Sequence, residues 1–190
     1  MNNPFDEFAA WYADAQNGPV INPDIVALAT STHEGQPSVR MVFFRGMREG
    51  GFSFFTNYES RKGVELEANP YAAMVFYWPH RGRQVRIEGA VERLSSTESD
   101  AYFQSRPFES QITTLVSLQS RPLQDADAFR LQLAELEQAR RETHISRPEY
   151  WGGFKILPSV FEFWSRGEHR RHERVLYRKA TEWSATRLYP

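Results

Sequence analysis

Apolar and polar residues alternate, or gather in short apolar stretches, over most of the chain, which predicts β-strands joined by tight turns. The apolar stretch at 25–32 predicts a buried strand, and the alternating stretch at 38–45 predicts its neighbour across the turn at 34–37. Further strands are predicted at 52–57, 71–78, 84–94, 153–166 with a break at Pro158, 171–179 and 183–188. Turns this short favour an antiparallel meander or barrel over a parallel sheet.

Helical spacing interrupts the strand pattern in several places. The first helix is predicted at 4–16, where Pro4 suits the first helical position and four aromatic residues share one side. Ser60 is a predicted cap for a helix ending at 68, and Ser95 opens another with capping-box spacing. A longer helix is predicted at 125–143, while 109–118 fits neither pattern. The predicted class is mainly β with helical insertions (α+β), in a single domain of residues 1–190.

Composition narrows the classes of protein that fit this pattern. Of 190 residues, 41% are hydrophobic and 14% aromatic, as expected of a packed globular domain. The chain has no cysteine, which excludes disulfides and thiolate chemistry, and a net charge of −1, which disfavours nucleic acid as a partner. The first residues lack the basic and apolar regions of a signal peptide, and no apolar run approaches a membrane span. We therefore expect a cytoplasmic protein without a membrane partner.

The most unusual stretch is the basic segment 167–174, Gly-Glu-His-Arg-Arg-His-Glu-Arg. If it is extended, alternation places Arg170, His172 and Arg174 on one face, with Arg171 and Glu173 on the other. Such a face suits an anion, although a solvated edge strand explains the spacing equally well. The two histidines of the segment are three residues apart and face opposite ways on a strand, so no metal site is predicted.

Two other segments are candidate anion sites. Arg61 and Lys62 follow the helix cap at Ser60, where the helix dipole disfavours cations unless an anion binds there. Solvent exposure of both cations is the alternative. Tyr102, Arg106 and Ser110 could hold a phosphate through two hydroxyls and a guanidinium, although a structural role for that segment is the more frequent explanation.

Taken in order, these motifs resemble the pyridoxamine (pyridoxine) 5′-phosphate oxidase family from about Ile25 to the end of the chain. They include Ser-Arg-Lys at 60–62, Trp-Gly-Gly at 151–153 and Glu-Phe-Trp at 162–164. Others lie at 40–45, 55–57, 84–85, 102–107, 110–112, 117–120, 167–174 and in the terminal Arg-Leu-Tyr-Pro. The resemblance implies an antiparallel split β-barrel of the FMN-binding type and a homodimer with FMN at its interface. Residues 1–24, which contain the predicted helix at 4–16, lie outside the resemblance; family members often use this region as a lid, so it is a candidate lid.

The resemblance also assigns roles to individual residues. The FMN contacts it implies are Arg40, Met41, Val42, Phe43, Phe55, Thr56, Arg61, Lys62, Gln84, Gln119, Ser120, Trp164 and Arg174. Those implied for the substrate phosphate are Arg45, Tyr102, Arg106 and Ser110. Arg170 and His172 would contact the substrate ring and act in catalysis.

The activity implied is oxidation of pyridoxine or pyridoxamine 5′-phosphate by O2 to pyridoxal 5′-phosphate, releasing H2O2, and NH3 from the amine. Arg45 departs from the family pattern, which has lysine there, and Arg171 and Glu173 also differ. A glutamate at the position of Glu173 also occurs in related flavin oxidases that act on phenazine-type tricyclic precursors. Oxidation of such precursors is the alternative function. The phosphate set at Arg45, Tyr102, Arg106 and Ser110 favours the phosphorylated vitamer. A third interpretation is a carrier or sensor of FMN or pyridoxal phosphate.

Overall fold

A computed structural model describes residues 3–18, 22–141 and 143–190. The described helices are α1 Pro4–Gln16, α2 Arg61–Ala68, α3 Ser96–Gln104, α4 Phe108–Val116 and α5 Ala126–Arg140. The described strands are β1 Ile25–Ser31, β2 Pro37–Phe43, β3 Met47–Arg48, β4 Gly51–Asn57, β5 Tyr71–Trp78, β6 Arg83–Arg93, β7 Trp151–Ser165, β8 Glu173–Lys179 and β9 Trp183–Leu188.

All nine described strands join in one sheet, and every pairing is antiparallel. The order is β2-β1-β5-β6-β7-β4-β3, with β8 on β7 and β9 on β8. β7 is the longest strand: its first half pairs with β4 and its second half with β8, while β6 runs beside both. The predicted class, mainly β with helical insertions, is confirmed.

Helix α1 packs its aromatic side into the main core. Phe8 is 1% exposed, and its ring lies 4.7 Å from that of Phe52 and 4.9 Å from that of Phe76. The hydroxyl of Tyr177 on β8 donates to the carboxylate of Glu7 at 2.8 Å, which joins the helix to the sheet at a second point. The predicted bounds of this helix and its apolar side are confirmed.

The predicted break of the strand at Pro158 is wrong, because β7 continues to Ser165. The register of β6 against β7 shifts at Glu88 and Gly89, so β7 carries one extra residue there. Such a bulge accommodates proline, which cannot donate a ladder hydrogen bond. A Cβ on Gly89 would lie 1.9 Å from the Leu157 carbonyl oxygen, so glycine is needed for the close approach.

The predicted start of the next strand at Arg171, and the extended conformation of Arg170 before it, are also wrong. Residues Glu168–Arg170 form one turn of 3-10 helix, and β8 begins only at Glu173. His169 and Arg170 have φ of +52° and +63°, in the left-handed region. The turn is closed where the amide of Arg171 donates to the Glu168 carbonyl at 2.9 Å. Strand alternation therefore does not place Arg170 beside His172 and Arg174.

The region between β6 and β7 is helical. The ambiguous stretch at 109–118 is α4, and the predicted helix at 125–143 is the shorter α5, which buries none of its described residues. Among the described residues, no helix is both long and apolar enough to cross a membrane.

At one edge of the sheet, β2 exposes an apolar side. Val39, Met41 and Phe43 point the same way and are 69%, 61% and 45% exposed. Only β1 pairs with β2 among the described strands, so the other edge of β2 has open backbone hydrogen-bonding groups.

Candidate functional site

A cleft of about 830 Å³ opens between β2, the end of β4, the start of α2 and the α3–α4 turn. It brings together most of the residues that the sequence singled out. Its lining comprises Ser38, Val39, Arg40, Met41, Val42, Phe43, Arg45, Phe55, Thr56, Arg61, Lys62, Tyr102, Arg106, Pro107, Ser110, Gln119, Ser120 and Trp151.

One end of the cleft is built around Lys62, a buried cation that is 7% exposed. Its Nζ donates to the hydroxyls of Thr56 and Ser60, each at 3.0 Å, and it forms no ion pair among the described residues. Burial, and next the positive charge of Arg40, lower the Lys62 pKa to about 8. Because Ser60 also caps α2 through the Gly63 amide, the free N–H groups of the helix face the same region. This end of the cleft suits an anion.

Two guanidinium groups flank that end. Arg40 donates to the Leu28 carbonyl at 3.2 Å and to the Thr30 hydroxyl at 2.6 Å, which fixes it against β1. Arg61 is 57% exposed and donates through Nε to Glu65 at 2.9 Å. The cation set therefore combines one rigid and one exposed arginine with the buried lysine.

Another part of the cleft lining, beside Phe55, is aromatic and carries two more arginines. The ring of Phe55 stacks on Tyr102 with centroids 3.8 Å apart. Arg106 lies over the Trp151 ring at 4.6 Å and donates to the Thr114 hydroxyl at 2.6 Å. Arg45 lies over the Phe43 ring at 4.6 Å. Burial lowers the Arg106 pKa, and the positive charge of Arg45 lowers it further, so an anion between them would be favoured.

Gln119 and Ser120 close the side of the cleft after α4. The Gln119 side-chain oxygen accepts from the Thr56 hydroxyl at 3.2 Å and from the Asn57 amide at 3.4 Å. Ser120 has a φ of +74°, a strained conformation for a residue with a side chain. These bonds hold the loop after α4 against β4.

The remaining predicted residues form a second cluster outside the cleft. Gln84 and Arg174 are the register partners of Trp164 on its two sides, and the His172 ring lies 4.7 Å from the Trp164 ring. The Gly167 amide donates to His172 Nδ1 at 3.3 Å, which orients the imidazole. Arg174 pairs with the buried Glu162 at 2.7 Å, while Arg170 is exposed in the preceding turn.

The cleft and the second cluster lie towards opposite ends of β7. Phe55 of the cleft pairs with Gly153, eleven residues before Trp164. An extended strand rises about 3.3 Å per residue, so the two positions are roughly 36 Å apart along β7. One chain therefore presents the predicted residues as two separate sets.

Sequence reasoning missed several residues of the cleft. Ser38, Val39, Pro107 and Trp151 line it but were not predicted as site residues. Ser38 and Val39 neighbour the predicted Arg40 on β2, and that proximity was the available signal. Trp151 is 6% exposed and belongs to a buried apolar cluster, and it also borders the cleft.

Comparison with known proteins identifies related sequences over nearly the whole chain. A family model described as "Pyridoxamine 5'-phosphate oxidase" matches residues 13–140. A second, described as "Pyridoxine 5'-phosphate oxidase C-terminal dimerisation region", matches residues 151–190. The pyridoxine/pyridoxamine 5′-phosphate oxidase of Gluconobacter oxydans is 46% identical over 99% of this chain and 94% of its own.

Two solved structures have the same fold. PhzG from Burkholderia lata, in complex with tetrahydrophenazine-1-carboxylic acid, has a TM-score of 0.95 and 31% identity, covering 100% of this chain and 94% of that one. A pyridoxamine 5′-phosphate oxidase-related, FMN-binding protein from Nostoc punctiforme has a TM-score of 0.80 and 21% identity, covering 100% of both chains. The predicted split β-barrel is confirmed, with a sheet that does not close among the described strands.

Proposed function

The chain belongs to the pyridoxamine 5′-phosphate oxidase family, and from this premise we propose that it makes pyridoxal 5′-phosphate. The substrates would be pyridoxine 5′-phosphate and pyridoxamine 5′-phosphate, with O2 as acceptor, H2O2 as product and NH3 released from the amine. The observation that carries the proposal is the cleft with two sets of cations in its lining, because a phosphorylated cofactor and a phosphorylated substrate need one set each.

The end around Lys62 fits the phosphate of FMN. Lys62 is buried beside Arg40 and Arg61, and its hydrogen-bond partners are hydroxyls rather than a carboxylate. A phosphate there would meet three cations and the amino end of α2. Met41 and Phe43 on β2 would offer apolar surface to the flavin ring. Thr56, Gln119 and Ser120 would complete the polar contacts, with Val42 and Phe55 beside them.

The end around Arg106 fits the phosphate of the substrate. Arg45 and Arg106 supply two guanidinium groups, and Tyr102 and Ser110 supply hydroxyls. The Arg45 in place of the family's lysine keeps the cation and adds a planar fork of donors. A substrate without phosphate would leave two neighbouring arginines without a counter-charge.

We propose that the site is completed across a homodimer. The second cluster lies about 36 Å along β7 from the cleft of its own chain, so a partner chain would supply Gln84, Trp164 and Arg174 to the flavin. The match of residues 151–190 to a dimerisation region supports this arrangement. The exposed apolar side of β2 is a surface that such a partner could cover.

Within the completed site, Arg170 and His172 would hold the substrate ring. Bound FMN would supply the acceptor for the hydride lost from the substrate, and O2 would then reoxidise it. The hydrogen bond from the Gly167 amide to Nδ1 fixes the orientation of His172, so that Nε2 is free for the substrate. The guanidinium of Arg170 would donate hydrogen bonds to the oxygen substituents of the pyridine ring and so orient the ring for loss of the hydride.

The proposal is tested with purified protein, FMN and pyridoxine 5′-phosphate under air, by measuring aldehyde and H2O2. We expect Arg106→Ala to lower kcat/KM for this substrate by roughly 10- to 100-fold, since hydrogen bonds to charged groups contribute about 1.5–3 kcal/mol. The exposed Arg130→Ala on α5 is the matched control and is expected to leave the rate unchanged.

The same pair of variants distinguishes the proposed function from oxidation of phenazine-type precursors. Tetrahydrophenazine-1-carboxylic acid, the ligand in the PhzG structure, carries no phosphate. Turnover of that compound, unaffected by Arg106→Ala and without turnover of either phosphorylated vitamer, would contradict the proposal. Tight binding of FMN without O2-dependent turnover of any of these compounds would support the carrier interpretation instead.

A further inference from the structure

A buried carboxylate lies behind the cations that we assign to the FMN phosphate. Glu65 on α2 is 5% exposed. Its Oε2 accepts from the hydroxyl of Thr30 and from the hydroxyl of Ser38, the latter at 2.5 Å. It also pairs with Arg40 at 3.2 Å, and its Oε1 accepts from Arg61 at 2.9 Å. One carboxylate thus joins β1, β2 and α2 at the place where two of the cations lie.

The charges around Glu65 fit a dianion. Arg40, Arg61 and Lys62 carry three positive charges, and Glu65 carries one negative charge, which leaves two in excess. A phosphate monoester has close to two negative charges at neutral pH. Burial opposes ionisation of Glu65, but hydrogen bonds from the two hydroxyls and two guanidinium groups outweigh it and lower its pKa to about 2. The carboxylate is therefore charged throughout the physiological range of pH.

The two arginines depend on Glu65 to different extents. Arg40 also bonds the Leu28 carbonyl and the Thr30 hydroxyl, so β1 holds it even without Glu65. Arg61 is 57% exposed, and Glu65 is its only hydrogen-bond partner among the described residues. Because the pair uses Nε of Arg61, both terminal nitrogens stay available for a ligand. Without the carboxylate, this long side chain would have to be ordered when the ligand binds.

We propose that Glu65 is a positioning residue, which holds the guanidinium of Arg61, and to a smaller degree that of Arg40, ready for the phosphate of FMN. This inference rests on the proposed function, since it takes FMN as the ligand of the cleft. It predicts that Glu65 contributes to the recognition of the phosphate and not to that of the flavin ring.

The test compares the dissociation constants of FMN and riboflavin, measured by the change in flavin fluorescence on binding. Riboflavin has the same ring and no phosphate. We expect Glu65→Gln to weaken FMN binding at least tenfold and to change riboflavin binding less than twofold. Glu67→Gln is the matched control, because Glu67 lies on the same helix, is 69% exposed and pairs with Arg93 on the surface. It is expected to change neither constant.

Two outcomes would overturn the inference. Equal weakening of both flavins would mean that Glu65 only holds α2 against the sheet. Unchanged or tighter FMN binding would mean that the carboxylate only reduces the positive charge of the cleft. If Glu65→Gln does not fold, Glu65→Asp replaces it, because it retains the charge on a shorter side chain. This variant must weaken FMN binding more than riboflavin binding, by a smaller factor than is expected of Glu65→Gln. Failure of the unaltered protein to bind FMN would instead contradict the proposed function.

Discussion

At the scale of single residues, Lys62 and Glu65 are both buried at the start of α2, but their surroundings affect their charges in opposite ways. Glu65 is buried with four donors around it, so its negative charge is stabilised. Lys62 is buried with two hydroxyls and no carboxylate partner among the described residues, so its positive charge is destabilised. A bound anion would remove that second effect, which makes Lys62 the residue whose protonation depends most on the ligand.

FMN affinity is therefore expected to depend on pH through Lys62. At pH 7, below its pKa of about 8, Lys62 of the ligand-free protein already carries the proton, and affinity is expected to change by less than about twofold from pH 7 to 8. Above pH 8 the ligand-free protein loses the proton, whereas bound phosphate would raise the pKa and retain it. Affinity is then expected to fall by up to about tenfold per pH unit. Titrations followed by flavin fluorescence between pH 7 and 10 measure this slope.

Two variants at the same position identify the source of the slope. Lys62→Met is expected to bind FMN weakly at every pH, with no decline above pH 8. Lys62→Arg keeps its charge through this range and is expected to remove the decline as well. A slope that persists in both variants would assign the titration to another group.

The sequence predicted Lys62 and Arg61 from their place after a helix cap, since cations there conflict with the helix dipole. It did not single out Glu65. Four residues after Arg61, a glutamate has the spacing of an ordinary surface ion pair on a helix. Its burial depends on β1 and β2 lying against that face of α2, which is a tertiary contact without a local signal.

At the scale of elements, local sequence chemistry predicted the first residues of several helices well. Pro4 begins α1, and the Ser95–Glu98 capping box begins α3, as expected. The turn at Glu168–Arg170 was missed because two residues with side chains adopt positive φ there, and neither is glycine. The continuity of β7 through Pro158 was missed because the bulge that accommodates the proline is a feature of the pairing with β6, which has no local sequence signal.

Helix α1 is expected to contribute strongly to the stability of the whole domain. Phe8→Ala removes a ring that is 1% exposed and packed among Phe52 and Phe76, so we expect a loss of about 3–5 kcal/mol in the free energy of unfolding. Leu131→Ala on α5 is the control, since Leu131 is 61% exposed. It is expected to change stability by about 0.5 kcal/mol or less. Urea unfolding measures the free energy of unfolding of both variants. A loss in Phe8→Ala as small as that in Leu131→Ala would show that α1 does not belong to the cooperative core.

At the scale of the whole molecule, the long strand β7 separates the two sets of predicted site residues. The family pattern could predict both sets by motif. The cleft lies beside the first residues of β7 and the second cluster lies near its last residues. This separation could be seen only from the register of the sheet. The proposed homodimer follows from this separation.

Complementation between two variants tests the shared site. Arg106→Ala alters the cleft, and His172→Ala alters the second cluster, so each homodimer is expected to be nearly inactive. Random exchange of equal amounts leaves about one site in four with both residues intact. We expect the mixture to recover about a quarter of the normal activity, measured as H2O2 production. No recovery, with exchange of subunits shown by mass spectrometry of the intact dimers, would place the whole site within one chain.

The edge strand β2 also has a practical consequence for handling the protein. A separated chain presents an open strand edge beside the exposed Val39, Met41 and Phe43, an arrangement that promotes aggregation through added strands. The same strand supplies part of the proposed flavin surface, so losing the cofactor and losing the partner uncover one region. Dilute, flavin-free preparations are therefore expected to precipitate first, and adding FMN during purification is expected to raise the soluble yield.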